Sequence, residues 1–410
     1  MKTAGIVLTI FLALGALGIG FVGTTAALYF TQPSSKVNTT VSFVVNTGDS
    51  TTTVCDHLQA DGLIRNALAC KLYVKFKHLP SFQAGTYQLS PTMTMSQIAA
   101  NLQNGKAPQI LAGLPDNERA TQYPPYFASL PNFNATAFML TAKTGIEPDG
   151  TTKLWQKYWF VEQPQKNVYD ALEGYLYPDH YEFLTTADTT TVIETMVEQL
   201  GAQFCPGPAS NFTQYIDTLA DCKQHAATVG TKKVNIFAAM EAAYHTKDDT
   251  LAIYDTLIMA SMTSHEAAGP AQAPGVVGVL WTRYEALKGY ITNAGQVSDL
   301  GTDASAEYAR DNQTPPKNGK YWTPLTTAGK DVATTNPYNN YSDVSILPPG
   351  PIANPSNLFI LAAAAPVLSK YWFYVHDHCG NIHYAVDAAH AAIIDTKYIN
   401  TKVCSTSLTS

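Results

Sequence analysis

One carboxylate stands where an apolar helix would bury its face. The stretch "MASMTSHEAAG" (259–269) closes an apolar run with Glu266, followed by Ala267, Ala268 and Gly269. Tyr254, Ile258 and Met262 recur at i, i+4 spacing, and Glu266 is the next residue on their stripe. A carboxyl partly withdrawn from water has its ionised form disfavoured and its pKa raised. It can then hold a proton near neutral pH and deliver it, as a general acid must at a glycosidic oxygen. A helix-end Glu paired to a surface Lys satisfies the same spacing, and spacing alone leaves both readings open.

The elements that would position this acid are mostly helical. Periodicity predicts helices over 189–203, 233–246, 250–268 and 274–287. A polar stretch from 291 to 342 reads as a long loop, of the kind that lines functional sites when it is ordered. "ILPPGPIANP" makes a rigid turn, "SNLFILAAAAP" a short helix, and "YWFYVHDHCGNIHYAV" a hairpin through Cys379, Gly380 and Asn381. "LEGYLYPDHYEFLTT" is an aromatic turn around Pro178 and Asp179, in which Glu173, Pro178 and Asp179 suit capping and turn roles. Ahead of these, 41–109 reads as a small α+β unit: strand "VSFVV", a helix capped by Ser50 or Thr51, helix "LIRNALACKLYVKFKHL", strand "FQAGTYQLS", and a last helix with Thr94 and Gln97 spaced as a capping box. The H-x-H pair His376 and His378 has no further ligand pattern beside it to mark a metal site.

Composition sets the compartment. The 410 residues carry a formal charge of −7 with no block of Lys or Arg, which excludes a phosphate-binding footprint and so nucleic acid. After a short cytoplasmic end (1–3), Ala4 to Phe30 contain no charge; these 27 residues exceed the ~20 that cross a bilayer. A transmembrane anchor is therefore predicted, although a cleaved signal peptide shares some of its features. Lys2 favours the N-terminus inside and everything beyond the 31–40 linker outside. The six cysteines fall into near neighbours, Cys55 with Cys70, Cys205 with Cys222, and Cys379 with Cys404, which suits local disulfides in an oxidising compartment. Spacing does not fix that connectivity.

Four stretches together resemble one family. "MASMTSHEAAG" is similar to the "ASIIEKE"-type segment of the YceG-like family of endolytic murein transglycosylases; the family's catalytic Glu falls on Glu266 and its first Glu on Ser264. "FQAGTYQLSPTMTMSQIAANLQNGK" (82–106) resembles "F-K-A-G-T-Y…M-T…L…G-K", which ends a LysM-like subdomain. "LEGYLYPDHYEF" (172–183) resembles "L-E-G-Y-L-F-P-D-T-Y", and "NPYNNYSDVSILPPGPIANPS" (336–356) resembles "S-P-Y-N-T-Y…G-L-P-P-G-P-I-x-N-P". The resemblance implies an α+β chain: a transmembrane helix (4–30), a LysM-like subdomain (41–109), a larger mixed helix/β catalytic domain (110–404) and a tail (405–410). It implies a single-pass, membrane-anchored enzyme whose catalytic part is extracytoplasmic. Its substrate would be nascent peptidoglycan glycan strands, its product 1,6-anhydroMurNAc, and its partners the cell-wall synthases. One carboxylate would serve as acid and then as base, and the resemblance implies no metal or organic cofactor. Tyr338, Asn339, Tyr341 and Asn354 fall on motif positions and suit sugar recognition by aromatic faces and amide groups.

One family segment, "L-Q-T-D-P-T-V-x-Y", which follows the helix after the catalytic Glu, matches this sequence poorly. Set against "ITNAGQVSDLG" (291–301), Asn293 stands for the Gln and becomes a further substrate-binding candidate, while Gly295 replaces the Asp. That loss would favour a catalytically impaired relative that binds glycan or scaffolds the wall machinery. A third reading, a muramidase-like hydrolase, would want a second carboxylate ~5–9 Å from Glu266, for which Asp179 and Asp299 are the candidates.

Overall fold

The computed structural model describes residues 32–35, 41–46, 48–104, 109–205, 212, 222–223, 226–229, 232–293, 295–326, 331–342 and 346–399. The uncharged segment 4–30, the tail 405–410 and Cys404 lie outside them. Among the described residues no helix is long and apolar enough to cross a membrane. The chain is a mixed α+β protein of two compact units: one runs to Leu111 and takes in Leu130–Asn132 and Glu182–Ala187, and the other holds the rest.

The smaller unit pairs β1 (Val41–Val45) antiparallel with β2 (Gly85–Leu89), Phe43 opposite Tyr87. Helices α1 (Thr51–Ala60), α2 (Ala67–Phe76) and α3 (Met95–Asn104) complete it. Alternate strand residues Phe43, Val45, Tyr87 and Leu89 join Val54, Leu58, Val74, Ile98 and Leu102 in one core. The Cys55–Cys70 disulfide ties α1 to α2 inside it. Ser50 caps α1 by accepting from Thr53 N–H, and Thr94 and Gln97 make the reciprocal bonds of a capping box at α3.

Strands β3 (Gln109–Gly113) and β4 (His180–Leu184) form a two-stranded sheet, and in the larger unit β5 (Ala226–Val229) and β6 (Lys232–Asn235) form another. Between these strands lie α4 (Ala135–Thr144) and α5 (Thr189–Phe204). Helix α6 (Ile236–Ala243) leads into α7 (Asp249–Glu266), the central helix of the unit. Asp248 caps α7 by accepting from the N–H groups of Thr250 and Leu251. From Ala252 to Ser264 nearly every α7 residue is buried. Its buried polar residues Thr256, Ser261, Thr263 and Ser264 each bond a carbonyl one turn back, so their hydroxyls are not stranded in the core. Helix α8 (Ala273–Leu287) follows, then α9 (Asp303–Gln313), α10 (Asn357–Ala364), the hairpin β7 (Phe373–His376) and β8 (Ile382–Ala385), and α11 (Ala388–Ile394). Helices α6, α8, α9 and α10 all pack on α7.

Helix α9 lies inside the stretch read from sequence as a long loop. Its buried face is built from Ala304, Ser305, Ala306, Tyr308 and Ala309, but the segment is polar overall and sits in a polar stretch, so it reads as loop. Of the expected disulfides, Cys205–Cys222 is also formed and Cys379 is disulfide-bonded.

Candidate active site at the end of the central helix

Helix α7 ends at Glu266, where the chain turns extended at Ala267 and small residues follow. The stripe beneath it is core: Tyr254, Ile258 and Met262 are each at most 5% exposed. Glu266 itself keeps partial contact with solvent while protein crowds its carboxyl. Tyr374, on β7, donates its hydroxyl hydrogen to Oε2 at 2.8 Å. The N–H of Ala304, in the first turn of α9, faces Oε1 at 3.4 Å. Burial raises the pKa of Glu266; the Tyr374 hydroxyl and the Ala304 N–H pull against it, Asp303 adds to the rise by like charge, and Arg283 opposes it. The result is a carboxyl that holds its proton to higher pH than a free glutamate, with one oxygen fixed by a phenol.

The residues around Glu266 are held by the fold. Arg283 of α8 donates Nε to the Trp372 carbonyl and an Nη hydrogen to the Leu300 carbonyl, each at 2.8 Å, and lies 5.0 Å from the Phe373 ring centroid. It ties the residue before β7 to the loop that leads into α9, and its charge acts on the acid. Close packing on α8 requires small residues: a Cβ on Gly278 would lie 2.9 Å from the carbonyl of Val367, ahead of the hairpin, and one on Gly275 would collide with the Tyr384 hydroxyl of β8. Gln272 extends the clamp, accepting from Ala268 N–H at 3.0 Å and pairing with His376 Nε2 at 2.8 Å. His376 is thus engaged by an amide.

Asp303 opens α9 on the exposed side and accepts from the Tyr341 hydroxyl at 2.7 Å. One turn on, Glu307 is half-buried; burial and repulsion by Asp303 and Glu266 push its pKa up to about 7, against the pull of Arg310. Asp303 and Glu307 are thus the carboxyls that interact electrostatically with Glu266. Asp179 is bonded by Gln199 and by the His180 N–H, and Asp299 by Ser298. Tyr374, Asp303, Glu307 and Arg283 were not singled out from sequence. Tyr374 is brought in by hairpin packing that spacing does not report.

Gly295 does not stand in for an active-site aspartate. It sits at φ +73° with no atom near a built Cβ, and Asn293 folds back on its own loop, exchanging bonds with Val297. The segment "L-Q-T-D-P-T-V-x-Y" instead matches "LGTDASAEY" (300–308) at Leu300, Thr302, Asp303 and Tyr308. By residue type its aspartate falls on Asp303, eight residues further along, whose charge acts on Glu266. Asn293, expected among the sugar-binding residues, has its side chain occupied in that turn.

Of the remaining expected groove residues, Tyr341 alone joins the site. Tyr338 is fully buried, stacked on Tyr169 at 5.0 Å and tilted against Tyr308 at 5.2 Å. Asn339 is 1% exposed and donates to the Val332 carbonyl, closing its turn. Asn354 is fully buried: its Oδ1 accepts from Gly174 and Leu176 N–H at 2.9 and 3.0 Å, and its Nδ2 donates to Glu173 Oε1 at 2.7 Å and to the Glu118 carbonyl at 3.0 Å. Asn339 and Asn354 belong to the scaffold under the site because their amides are occupied by buried partners, and Tyr338 because its ring is packed between Tyr169 and Tyr308. Asn340, the neighbour not singled out, pairs with Thr302 in both directions and so fixes the entry to α9. Gly174 is required where it stands, since it has φ +84° and a Cβ there would meet Pro351 at 2.6 Å.

Beneath the site lies a buried ionic layer. Glu173 accepts from Ala120 N–H at 2.9 Å, and Tyr308 hydroxyl lies between Glu173 and Asp170 at 3.3 and 3.4 Å. Arg119, 1% exposed, sits 4.3 Å over the Tyr308 ring and 3.6 Å from Asp311. Next to the acid, His265 stacks on Trp322 at 3.7 Å and donates from Nε2 to the Asn117 carbonyl; burial drops its pKa to about 4, so it stays neutral. Burial, with Asp170 adding like charge, pushes Glu173 up to about 8 from 4.5. The folded state therefore binds more protons than the unfolded one between these values, and stability falls as pH rises through that window. Glu173→Gln keeps the accepting oxygen and removes the titration, so thermal melts from pH 5 to pH 8 are expected to flatten in that variant relative to wild type.

The chain is similar to the endolytic murein transglycosylase of Bacillus subtilis (strain 168), 23% identical over 378 residues, 89% of this chain and 86% of that one. It is also similar to a solved yceG-like protein of Listeria monocytogenes, 22% identical, covering 87% of this chain and 98% of that one with a TM-score of 0.49. The model of the YceG-like family matches residues 43–392, from the first strand of the small unit to the last helix of the large one, and the chain belongs to that family.

Proposed function

We propose that the protein is a membrane-anchored endolytic lytic transglycosylase of peptidoglycan with Glu266 as its acid and base. The observation that carries this reading is a carboxyl with raised pKa, held by one phenol, at the open end of an otherwise buried helix. The likeness to a named murein transglycosylase supports the substrate class. Protonated Glu266 gives its proton to the oxygen between MurNAc and GlcNAc as the C1–O bond breaks. The carboxylate so formed takes the proton of the MurNAc C6 hydroxyl while that oxygen bonds C1 and closes the 1,6-anhydro ring. The acid is restored, no water is consumed, and no second carboxylate has to activate one. Arg283 and the Tyr374 hydroxyl stabilise the carboxylate between the two transfers. Asp303 and Tyr341 stand at the same mouth and suit hydrogen bonding to sugar hydroxyls. The uncharged segment 4–30 supports anchoring, with residues beyond it outside the membrane and close to cell-wall synthases.

Digestion of uncrosslinked peptidoglycan by the full chain tests this. Products lighter by one water than hydrolysis products are expected; reducing-end products would give the site to a hydrolase, and glycan binding without cleavage to a scaffold. The pH profile tests the acid. Activity should fall as pH rises through the pKa of Glu266. Tyr374→Phe removes a bond to the carboxylate, so the alkaline limb should move to higher pH. Asp303→Asn removes repulsion, so the limb should move to lower pH. Shifts in the same direction would contradict the assignment.

A further inference from the structure

Helix α2 buries Ala67, Cys70 and Val74 in the core of the small unit. Its other face carries Leu68, Leu72 and Phe76, which are 63%, 44% and 77% exposed. Spacing of four sets the three on one stripe. Single exposed apolar residues are ordinary, whereas a row of large ones marks a contact surface. Lys71 and Lys75 lie along the stripe, and Lys77 follows its end. From Gly62 to Pro115 the sequence contains no Asp or Glu but holds Arg65, Lys71, Lys75, Lys77 and Lys106, in a chain whose net charge is −7. A helix with an apolar face and a cationic margin is built to lie in a membrane interface.

The chain leading to the small unit says which surface α2 meets. Arg65 Nε donates to the Pro33 carbonyl at 2.9 Å, Ser34 Oγ to the Gly62 carbonyl at 2.6 Å, and Ser35 N–H to the Pro91 carbonyl at 3.0 Å. Arg65 directly precedes Asn66, the N-cap of α2. The uncharged segment ends at Phe30, so covalent geometry keeps Phe30 within about 11 Å of Pro33, at ~3.6 Å per residue. Wherever that segment leaves a bilayer, the start of α2 is close by.

We propose that the Leu68–Leu72–Phe76 face of α2 docks on the outer surface of the membrane that anchors the chain. The three side chains enter the headgroup–acyl boundary, and Lys71, Lys75 and Lys77 meet anionic phospholipid headgroups. The proposal rests on the anchored reading of residues 4–30 and adds a second membrane contact to it. Lys71 also pairs with Asp56 at 2.7 Å, so Lys75 and Lys77 are the better charges to reverse.

The test uses the full chain in phosphatidylcholine vesicles, with and without phosphatidylglycerol, that contain a lipid bearing a photoactivatable diazirine near the top of its acyl chain. Peptide mass spectrometry should find adducts on α2 at Leu68, Leu72 or Phe76 as well as within 4–30. The triple change Leu68→Ser, Leu72→Ser, Phe76→Ser should lower α2 adducts severalfold, leaving those in 4–30 and the Cys55–Cys70 bond unchanged. Lys75→Glu with Lys77→Glu should lower α2 labelling more in vesicles with phosphatidylglycerol than in those without. Adducts confined to 4–30 in the wild type would overturn the docking and leave the anchor standing; adducts in neither place would overturn both. Cross-links between α2 helices of two copies, in place of lipid adducts, would assign the face to self-association and overturn the proposal.

Discussion

Replacing Glu266 by Gln is expected to lower glycan-strand cleavage by about 10³–10⁴-fold, because one residue supplies both proton transfers. The amide keeps the shape of the acid, and its oxygen can still accept from Tyr374, whose hydroxyl lies 2.8 Å from Oε2. Folding should be unharmed. A carboxyl whose pKa is raised in the folded state costs stability as pH climbs through that pKa, and Gln removes this cost. Melting curves above neutral pH should therefore match or slightly exceed the wild type. Cleavage by Glu266→Gln within tenfold of wild type would remove Glu266 from the chemistry.

The second large effect concerns stability. Asn354→Ala should cost ~3–5 kcal/mol, read from denaturant midpoints, because it strands several buried groups together. The Gly174 and Leu176 N–H donors lose their acceptor, and Glu173 loses the shorter of its two bonds on Oε1. No water can replace the amide without opening a layer in which Asn354 and Glu173 are both fully buried. A loss under about 1 kcal/mol would mean that the amide is a recognition group after all. Activity of the variant should track its folded fraction, since Asn354 touches structure rather than sugar.

The contrast between Glu266 and Asn354 marks how far the sequence could be read. Helix periodicity located α7 and α8, and an acid at the end of a buried stripe is visible as pattern. The Pro- and Gly-rich turn at 348–355 was legible as rigid, but whether its Asn faced solvent or backbone was not. That depends on the two N–H groups of Gly174 and Leu176, which lie 180 and 178 residues away in the chain. The same holds for Tyr338, whose ring is covered by Tyr169 and Tyr308 from distant segments. Helix α9 is hard to read for a different reason: its sequence is polar on average and lies within a long polar stretch. Asp303, whose charge acts on Glu266, matches the motif aspartate by residue type, and the motif's position is set by α9 rather than by the loop holding Gly295. Tyr374 and Arg283 reach the acid through the packing of the hairpin on α8, a tertiary event with no local signature.

The most direct measurement is a digest of uncrosslinked peptidoglycan in water labelled with heavy oxygen, run with the wild type beside Glu266→Gln. If Glu266 takes the proton of the C6 hydroxyl as that oxygen bonds C1, wild-type products carry no label and the variant yields almost none of them. Label at the new MurNAc end would show that water attacked, and would contradict the transglycosylase mechanism proposed for this site.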